Sequence, residues 1–525
     1  KPVSVDMDLD VESRQPAIKG NVTFDGVVDV EQSFSAIKLN DIAVVLDLVG
    51  ETLPGGRLQS SLKTSAVIDL EQETLSTSFL KLSALGLNVN GNIQGQAIKS
   101  AERQFAGDFQ VATFSPADVM RALGLTVPVT SDNTVLEKAD MSTHLVLTSD
   151  TVQLSKLAMR LDDSLINGRV AVSDFAKPAI NFEIGLDQID ADRYFPPTTE
   201  TDAETVVKAA TVPVEVPVDM LRALNVNGEI KIGLLKAYQL RSQDIKIQLS
   251  ARNGKIQVHP AQAKMYEGSY RGNIQLDVRS TPKLSMDEKF SGIQVGGLLM
   301  DMMKKETITG DTEAHVKLSG TGKTLDAIKQ TLNGEMGFTF KDGAIKGVDL
   351  IRLIRQAKSA IKGQNPMEKS GSDQTDFSVL SATATVKNGV VTSDDLSAKS
   401  PLLRIDGKGM VDLNQQSIDY LLTTTIVGSL EGQGGRDISD LNGLPIPIQV
   451  TGSFAQPKYK LRLDKAIKQA AGEEIRQKVD AEKAKLKEKV DKKKAELEEK
   501  VDKKKQALED KLKDKLNDKL KGLFN

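Results

Sequence analysis

Apolar and polar residues alternate along most of the chain, from its first residues to about residue 463. The segments 181–187, Asn-Phe-Glu-Ile-Gly-Leu-Asp, and 272–279, Gly-Asn-Ile-Gln-Leu-Asp-Val-Arg, are typical of the pattern. Because successive side chains of a strand point to opposite faces, this alternation predicts strands with one apolar and one polar face. The fold is therefore expected to be mainly β.

The alternating runs predict on the order of two dozen strands. Open twisted sheets rarely exceed about 10 strands without curling or splitting, so a sheet of this size must curl. Closed barrels, stacked sandwiches or a long trough filled by an apolar ligand would each cover the apolar face. The periodicity fits a self-filled sandwich and a ligand-filled trough equally well.

The residues that should line such an interior are uncharged and almost all aliphatic. Acyl chains would suit this surface because they need no hydrogen bonds. The predicted lining residues are Leu145, Leu147, Leu157, Met159, Leu161, Val170, Val172, Phe182, Ile184, Leu186, Ile274, Leu276, Val278, Met336, Phe338, Phe340, Leu422 and Ile426.

Helical segments are few before residue 464. At 115–123 a serine stands at the cap position and Pro116 at the first helical position, which predicts a short helix. The segment 349–361 predicts another. From Asp464 onward, Ile475, Leu486, Leu497 and Leu508 recur every eleven residues, as do Val479, Val490, Val501 and Leu512.

An eleven-residue repeat places both rows on one face of a long helix. At about 1.5 Å per residue, a helix from residue 464 to the end would extend roughly 90 Å. Three roles stay open for this tail: a solvated helix packing back along the body, an interfacial helix that contacts a membrane, and a coiled coil.

Composition narrows the function. The 525 residues contain no tryptophan and no cysteine, and the lack of cysteine excludes disulfides, thiolate metal sites and cysteine nucleophiles. From Lys465 onward there are 20 Lys and Arg against 14 Asp and Glu, so the tail carries +6 and the rest of the chain −9. An acidic body disfavours a nucleic-acid partner. No apolar run approaches the roughly 18 residues of a membrane span.

Catalytic groups are scarce. His144, His259 and His315 each stand isolated in an alternating segment, and neither a His-Glu-x-x-His nor a Gly-x-Ser-x-Gly motif occurs. Residues 320–324 resemble the end of a phosphate-binding loop, but the motif's first glycine would fall on Lys317. The acidic pairs at 190 and 192 and at 394–395 fit turns and caps better than calcium sites. We therefore expect no enzyme activity, metal or cofactor.

Several segments, taken in order, closely resemble the AsmA family of bacterial envelope proteins, in particular the C-terminal part of that family. With the upstream segment the resemblance covers most of residues 1–463. The segments are Gly185–Tyr194, Ala263–Gly268 with Arg271–Gly272, Phe290–Gly296, Leu332–Gly334 with Lys341–Leu350, Thr375–Ser378, Lys399–Leu403 and Val427–Gly434.

The resemblance implies an elongated, curled antiparallel β-sheet of the repeating-β-groove type, as in the related TamB and YhdP, with short helices and here a long C-terminal helix. It further implies a periplasmic protein held in the inner membrane by an N-terminal helix that would precede this chain. Such proteins are thought to pass phospholipids towards the outer membrane. The alternative is a scaffold that assists outer-membrane protein assembly through its edge strands.

Four regions are expected along the chain. Residues 1–195 form the N-terminal part of the groove, 196–217 a flexible insertion, 218–463 the part most similar to the family, and 464–525 the amphipathic helix. The expected partners are phospholipids, the inner membrane through the preceding helix, and the outer membrane or envelope through the C-terminal helix.

Overall fold

In the computed structural model, residues 2–197, 215–361, 373–428, 445–453, 456–461, 482–496, 498–500 and 502–505 are described. Within them, 25 strands join in one sheet. The first twelve are β1 Pro2–Arg14, β2 Ala17–Val30, β3 Ala36–Val49, β4 Arg57–Asp69, β5 Thr74–Ala84, β6 Leu87–Gly91, β7 Gln94–Gln96, β8 Gln104–Phe114, β9 Ala139–Leu147, β10 Thr151–Leu161, β11 Ser164–Ser173 and β12 Ala179–Asp190.

The other strands follow the predicted insertion. They are β13 Val226–Ala237, β14 Leu240–Arg252, β15 Lys255–Met265, β16 Gly268–Asp277, β17 Lys283–Gln294, β18 Asp311–Thr321, β19 Asn333–Lys346, β20 Gln374–Lys387, β21 Val390–Lys399, β22 Leu403–Asp412, β23 Ser417–Ile426, β24 Pro445–Ser453 and β25 Pro457–Leu461.

Five short helices interrupt the described strands: α1 Pro116–Ala122, α2 Val218–Ala223, α3 Val295–Met303, α4 Leu325–Gln330 and α5 Leu350–Ile361. Residues 54–56 and 191–193 form 3-10 turns. Residues 482–496, 498–500 and 502–505 are helical and belong to the predicted C-terminal helix. The expected fold class, a curled and mainly antiparallel sheet with short helices and a C-terminal helix, is confirmed.

Neighbouring strands pair antiparallel, with one exception. The strands β12 and β13 pair in parallel, from Ile180 opposite Val226 to Asp190 opposite Lys236. Most of the predicted insertion at 196–217 lies outside the described residues, but the sheet continues from one side of it to the other. Within the described residues, β1 pairs only with β2 and β25 only with β24.

Bulges interrupt the pairing without moving the apolar side chains to the other face. Between Leu154 and Leu157 of β10 the register shifts relative to β11, and Lys156 has a φ of 50°. A similar shift separates Val258 from Ala261 in β15. An extra residue bends its strand and increases the local twist, which helps a sheet of this size to curl.

The connections between strands form two long edges of the sheet. The first rim holds α1, α3 and α5, which follow β8, β17 and β19. The second rim holds α2 and α4, which precede β13 and β19. The helices fall on two different rims because, in an antiparallel sheet, successive connections lie at opposite ends of the strands.

Candidate functional site: the apolar face of the sheet

Rows of apolar side chains cross the sheet from strand to strand on one face. Cross-strand partners form an unbroken first row over thirteen strands, and every member is aliphatic or aromatic. The row is Met7, Phe24, Val44, Leu62, Leu82, Val89, Val111, Met141, Met159, Ile166, Leu186, Ile232 and Ile245.

A second row on the same face starts at β9 and reaches β23. It contains only aliphatic, phenylalanine and glycine residues: Leu145, Leu154, Val170, Phe182, Gly228, Leu249, Val258, Ile274, Met286, Leu318, Gly334, Val386, Val391, Val411 and Ile418. The two rows overlap from β9 to β14, so together they define one apolar face from β1 to β23.

All eighteen predicted lining residues lie on this apolar face. Fifteen of them are half-buried, and Leu147 is 36% exposed. Two are fully buried, Val278 at 0% and Ile426 at 1% exposure, and therefore contact other protein atoms. A self-filled sandwich would bury most such side chains, so over much of its length the apolar face is not covered by the described residues.

The C-terminal end of the apolar face is covered by α5. Leu350 and Ile354 of this helix are 4% and 0% exposed. They pack with a cluster from β20 to β24 that contains Phe377, Leu380, Ala398, Leu403, Ile405, Ile426, Ile446 and Ile448. The two arrangements that the sequence left open thus occur in different parts of one sheet: filled at this end, uncovered elsewhere.

Hydrogen bonds fix the start of α5 on the sheet. The Thr375 hydroxyl donates to the carbonyl of Val348 at 2.7 Å and accepts from the amide of Leu350 at 3.0 Å. The Asp349 carboxylate accepts from the amide of Arg352 at 2.9 Å, which caps the first turn. The sequence prediction of a helix here is confirmed, but its place over the apolar face was not predicted.

One charged side chain interrupts the apolar face in the described strands. Glu288 of β17 lies opposite Gly272 and Val316 on that face and is 8% exposed. The Tyr270 hydroxyl donates to its carboxylate at 2.6 Å, and burial raises the pKa of Glu288. A side chain at Gly272 would overlap both groups, so the glycine makes room for the pair.

Sequence reasoning missed Glu288, although a signal was present. In the run 284–290, Leu-Ser-Met-Asp-Glu-Lys-Phe, the carboxylate occupies a position where the alternation requires an apolar residue. A buried carboxylate without a cationic partner is costly and therefore informative.

The opposite face is polar and solvated. Arg57 donates to Asp47 at 2.8 Å, and this pairing lowers the pKa of the aspartate. Glu229 accepts from the neighbouring Lys231 and Lys246, which lower its pKa to about 2. Depressions of about 670 and 700 Å³ are lined by both polar and apolar residues, and the polar ones include Asp47 and Arg57 in the first and Lys317 and Glu335 in the second.

Groups that could carry chemistry are dispersed. His144 lies 2.8 Å from Asp108 on the polar face, and His259 contacts Asn273. Asp190 accepts from the amide of Asp192, as the cap interpretation predicted, and the Thr324 side chain caps α4. The same interpretation is wrong for Asp394 and Asp395, which lie within β21, where the Asp395 carboxylate accepts from the amide of Thr383 on the neighbouring strand. Among the described residues, no three His, Cys, Asp or Glu side chains are close enough to share a metal ion.

None of the helices in the described part of the chain is long and apolar enough to cross a membrane. In the C-terminal helix, every described side chain from 482 to 505 is exposed, including Leu486 at 45% and Val490 at 57%. The described part of this helix therefore does not pack against the sheet.

The chain is similar to proteins of one known family. The model of the AsmA family matches residues 22–396. The Escherichia coli (strain K12) protein AsmA is 22% identical over 343 residues, which are 63% of this chain and 55% of that protein. The match thus spans little more than half the length of the curated relative.

Proposed function

Because the chain belongs to the AsmA family, we propose that it is a bridge-like lipid-transfer protein that carries phospholipids between the inner and outer membranes. Proteins of this family are associated with the bacterial envelope, and membership suggests a role in outer-membrane assembly or lipid transport. In this proposal the chain works in the periplasm, anchored in the inner membrane, and supports outer-membrane biogenesis.

The observation that carries the proposal is the continuous apolar face that crosses strands β1 to β23 and stays partly exposed over most of its length. Exposed apolar patches on soluble proteins rarely exceed a few hundred Å², and larger ones mark binding surfaces. Acyl chains gain about 0.8 kcal/mol per buried methylene and require no hydrogen-bond partner. Head groups would stay in water beside the uncovered part of the face.

Transfer of this kind requires no bond to form or break, so we propose no enzyme activity and no cofactor. Lipids would move along the rows by exchanging one set of aliphatic contacts for a similar one. The free energy of binding is then spread over many strands, and a charge placed across the rows should act as a barrier.

A matched pair of variants on β10 tests the proposal. Leu157 is half-buried on the apolar face, whereas its neighbour Ala158 is exposed on the polar face opposite Ser142 and Asn167. A charge in contact with hydrocarbon costs about 2.5–3.5 kcal/mol at the centre of a bilayer. We therefore expect Leu157→Asp to lower lipid transfer between vesicles by about a hundredfold, and Ala158→Asp to leave it unchanged.

The measurement combines mass spectrometry of lipids retained by the purified chain with a fluorescent-lipid transfer assay and a circular-dichroism check of the β content. Equal retained lipid and equal transfer in the two variants would contradict the proposal. So would wild-type protein that carries no phospholipid.

The alternative role, a scaffold for outer-membrane protein assembly, is separated by photocrosslinking. A photoreactive residue at Ile274 on the apolar face should yield lipid adducts if phospholipid is carried. Polypeptide adducts at this position would favour the scaffold. A scaffold would use an edge strand such as β1, which pairs only with β2 among the described residues, but Asp6, Asp8 and Asp10 on that strand oppose strand addition.

A further inference from the structure

The helix α3 is held to the first rim by its N-terminal residues and by its acid. Val295 and Gly296 are buried. The Tyr266 hydroxyl donates to the Asp301 carboxylate at 2.8 Å, and Arg241 lies 3.9 Å from the same carboxylate. The only acid of the helix is thereby turned towards the sheet and neutralised.

The outward side of α3 is apolar, and two lysines follow the last residue of the helix. Met300, Met302 and Met303 are 46%, 56% and 54% exposed. Lys304 follows the last residue of the helix with a left-handed φ of 55°, and both Lys304 and Lys305 are exposed. The carboxylate of Glu306 contacts the Lys346 ammonium, so it does not cancel the charge of Lys305.

The turn between β13 and β14 extends this surface. Tyr238 at the turn is 75% exposed and stacks on Phe195 with ring centres 4.8 Å apart. The Lys304 ammonium lies 3.5 Å from the amide oxygen of Gln239, which brings the turn beside the end of α3. We call Tyr238, Met300, Met302, Met303, Lys304 and Lys305 the rim patch.

The rim patch lies where the apolar face changes character. The helix α3 connects β17 to β18, and the part of the face covered by α5 begins two strands later, at β20. A lipid that moved along the uncovered face from β1 would leave the open part close to this point on the first rim.

We propose that the rim patch docks on the surface of an anionic phospholipid bilayer and holds the adjacent open face against it. This inference rests on the proposed lipid-transfer function and adds the site of membrane contact. Flexible methionines fill irregular apolar surroundings, tyrosine favours the boundary between hydrocarbon and water, and lysine stems bury while their ammonium groups stay near the head groups. Two neighbouring lysines select an anionic surface.

The test uses the full chain, whose lack of cysteine allows a single label. An environment-sensitive fluorophore is attached to Met302→Cys and, as a control, to Met220→Cys on α2 at the second rim, where Met220 is 61% exposed. Both proteins are mixed with phosphatidylcholine vesicles with and without phosphatidylglycerol. We expect a blue shift and quenching by lipid-borne quenchers at position 302 but not at 220.

Charge reversal gives the second arm. Lys304→Glu with Lys305→Glu, in the labelled Met302→Cys protein, should raise the phosphatidylglycerol vesicle concentration for half-maximal shift at least about tenfold. Because the label reports only its own position, binding of vesicles through the C-terminal helix does not mimic the result.

Outcomes for docking and for lipid carriage are separable. If position 302 shows no shift while the purified chain retains phospholipid, docking through the rim patch is wrong and a protein partner becomes the better occupant. A shift at 302 in a chain that retains no phospholipid would instead remove the proposed lipid transfer. Equal shifts at 302 and 220, or none after vesicle addition, also overturn the docking.

Discussion

Replacing Ile354 by alanine should detach α5 from the sheet. Ile354 is fully buried in the cluster that covers the C-terminal end of the apolar face. Loss of three methylene equivalents costs about 2.4 kcal/mol of transfer free energy at ~0.8 kcal/mol each. The cavity left behind adds a term that brings buried Ile→Ala changes to 2–5 kcal/mol, and we expect about 4 kcal/mol here.

Hydrogen exchange measures this loss locally, which matters because an extended sheet need not unfold in a single step. A local loss of about 4 kcal/mol accelerates exchange of the α5 amides by nearly a thousandfold. An apolar-surface dye should bind more strongly to the variant, since detachment uncovers Leu403, Ile405 and their neighbours.

The matched control is Ile351→Ala, one turn earlier on the same helix, where the side chain is only half-buried. Its loss should be about 1–2 kcal/mol, with correspondingly smaller acceleration. If the two variants exchange alike, Ile354 does not anchor α5, and this helix does not fill the C-terminal end of the apolar face.

Two further predictions concern the carboxylate on the apolar face. Burial raises the pKa of Glu288 in the folded chain, so the folded state holds the carboxyl proton more tightly than the unfolded state does, and stability is lost as the pH rises from the ordinary glutamate pKa through the folded one. Glu288→Gln should therefore raise the melting temperature at pH 8 but not at pH 4. An equal change at both pH values would refute the predicted loss of stability with rising pH. Gly272→Ala places a methyl group against Glu288 and Tyr270 and should lower the free energy of unfolding in urea by about 1–3 kcal/mol. The loss should be smaller in a Glu288→Ala background. An undiminished loss would show that the methyl group overlaps other atoms.

Within an uninterrupted stretch of strand, alternation predicted which face each side chain takes, because there the choice depends only on neighbouring residues. Ile274 and Leu276 lie on the apolar face as their spacing required. The bulges were invisible to the same reasoning: Val258 and Ala261 share a face although they are three residues apart. The extra residue is fixed by pairing with β16, and the period of one strand carries no information on its partner.

Burial was not predictable from alternation. Leu157 and Ile405 occupy similar positions in alternating strands, yet Leu157 is half-buried and Ile405 is 4% exposed. The difference is α5, which lies over Ile405 and starts 55 residues before it in the chain. The parallel pair β12 and β13 was also missed, because the segment between these strands carries no sign of which way the chain returns.

The region from β16 to β19 has the properties of a boundary along the apolar face. On its uncovered side lie long aliphatic rows, and at the boundary two aromatic pairs follow each other: Tyr270 with Phe290 at 5.3 Å and Phe338 with Phe340 at 5.0 Å. Glu288 stands among them as the charged group of the described strands on this face.

An acyl chain that reached this point would have to pass a carboxylate before meeting a surface already occupied by α5. In the proposed transfer, further movement along the sheet requires α5 to lift, whereas movement off the sheet requires contact with a membrane at the rim patch. Ile354→Ala therefore acts on movement along the sheet past α5, and Lys304→Glu with Lys305→Glu acts on movement off the sheet at the rim patch. The variant that changes lipid transfer shows which of the two routes the lipid takes.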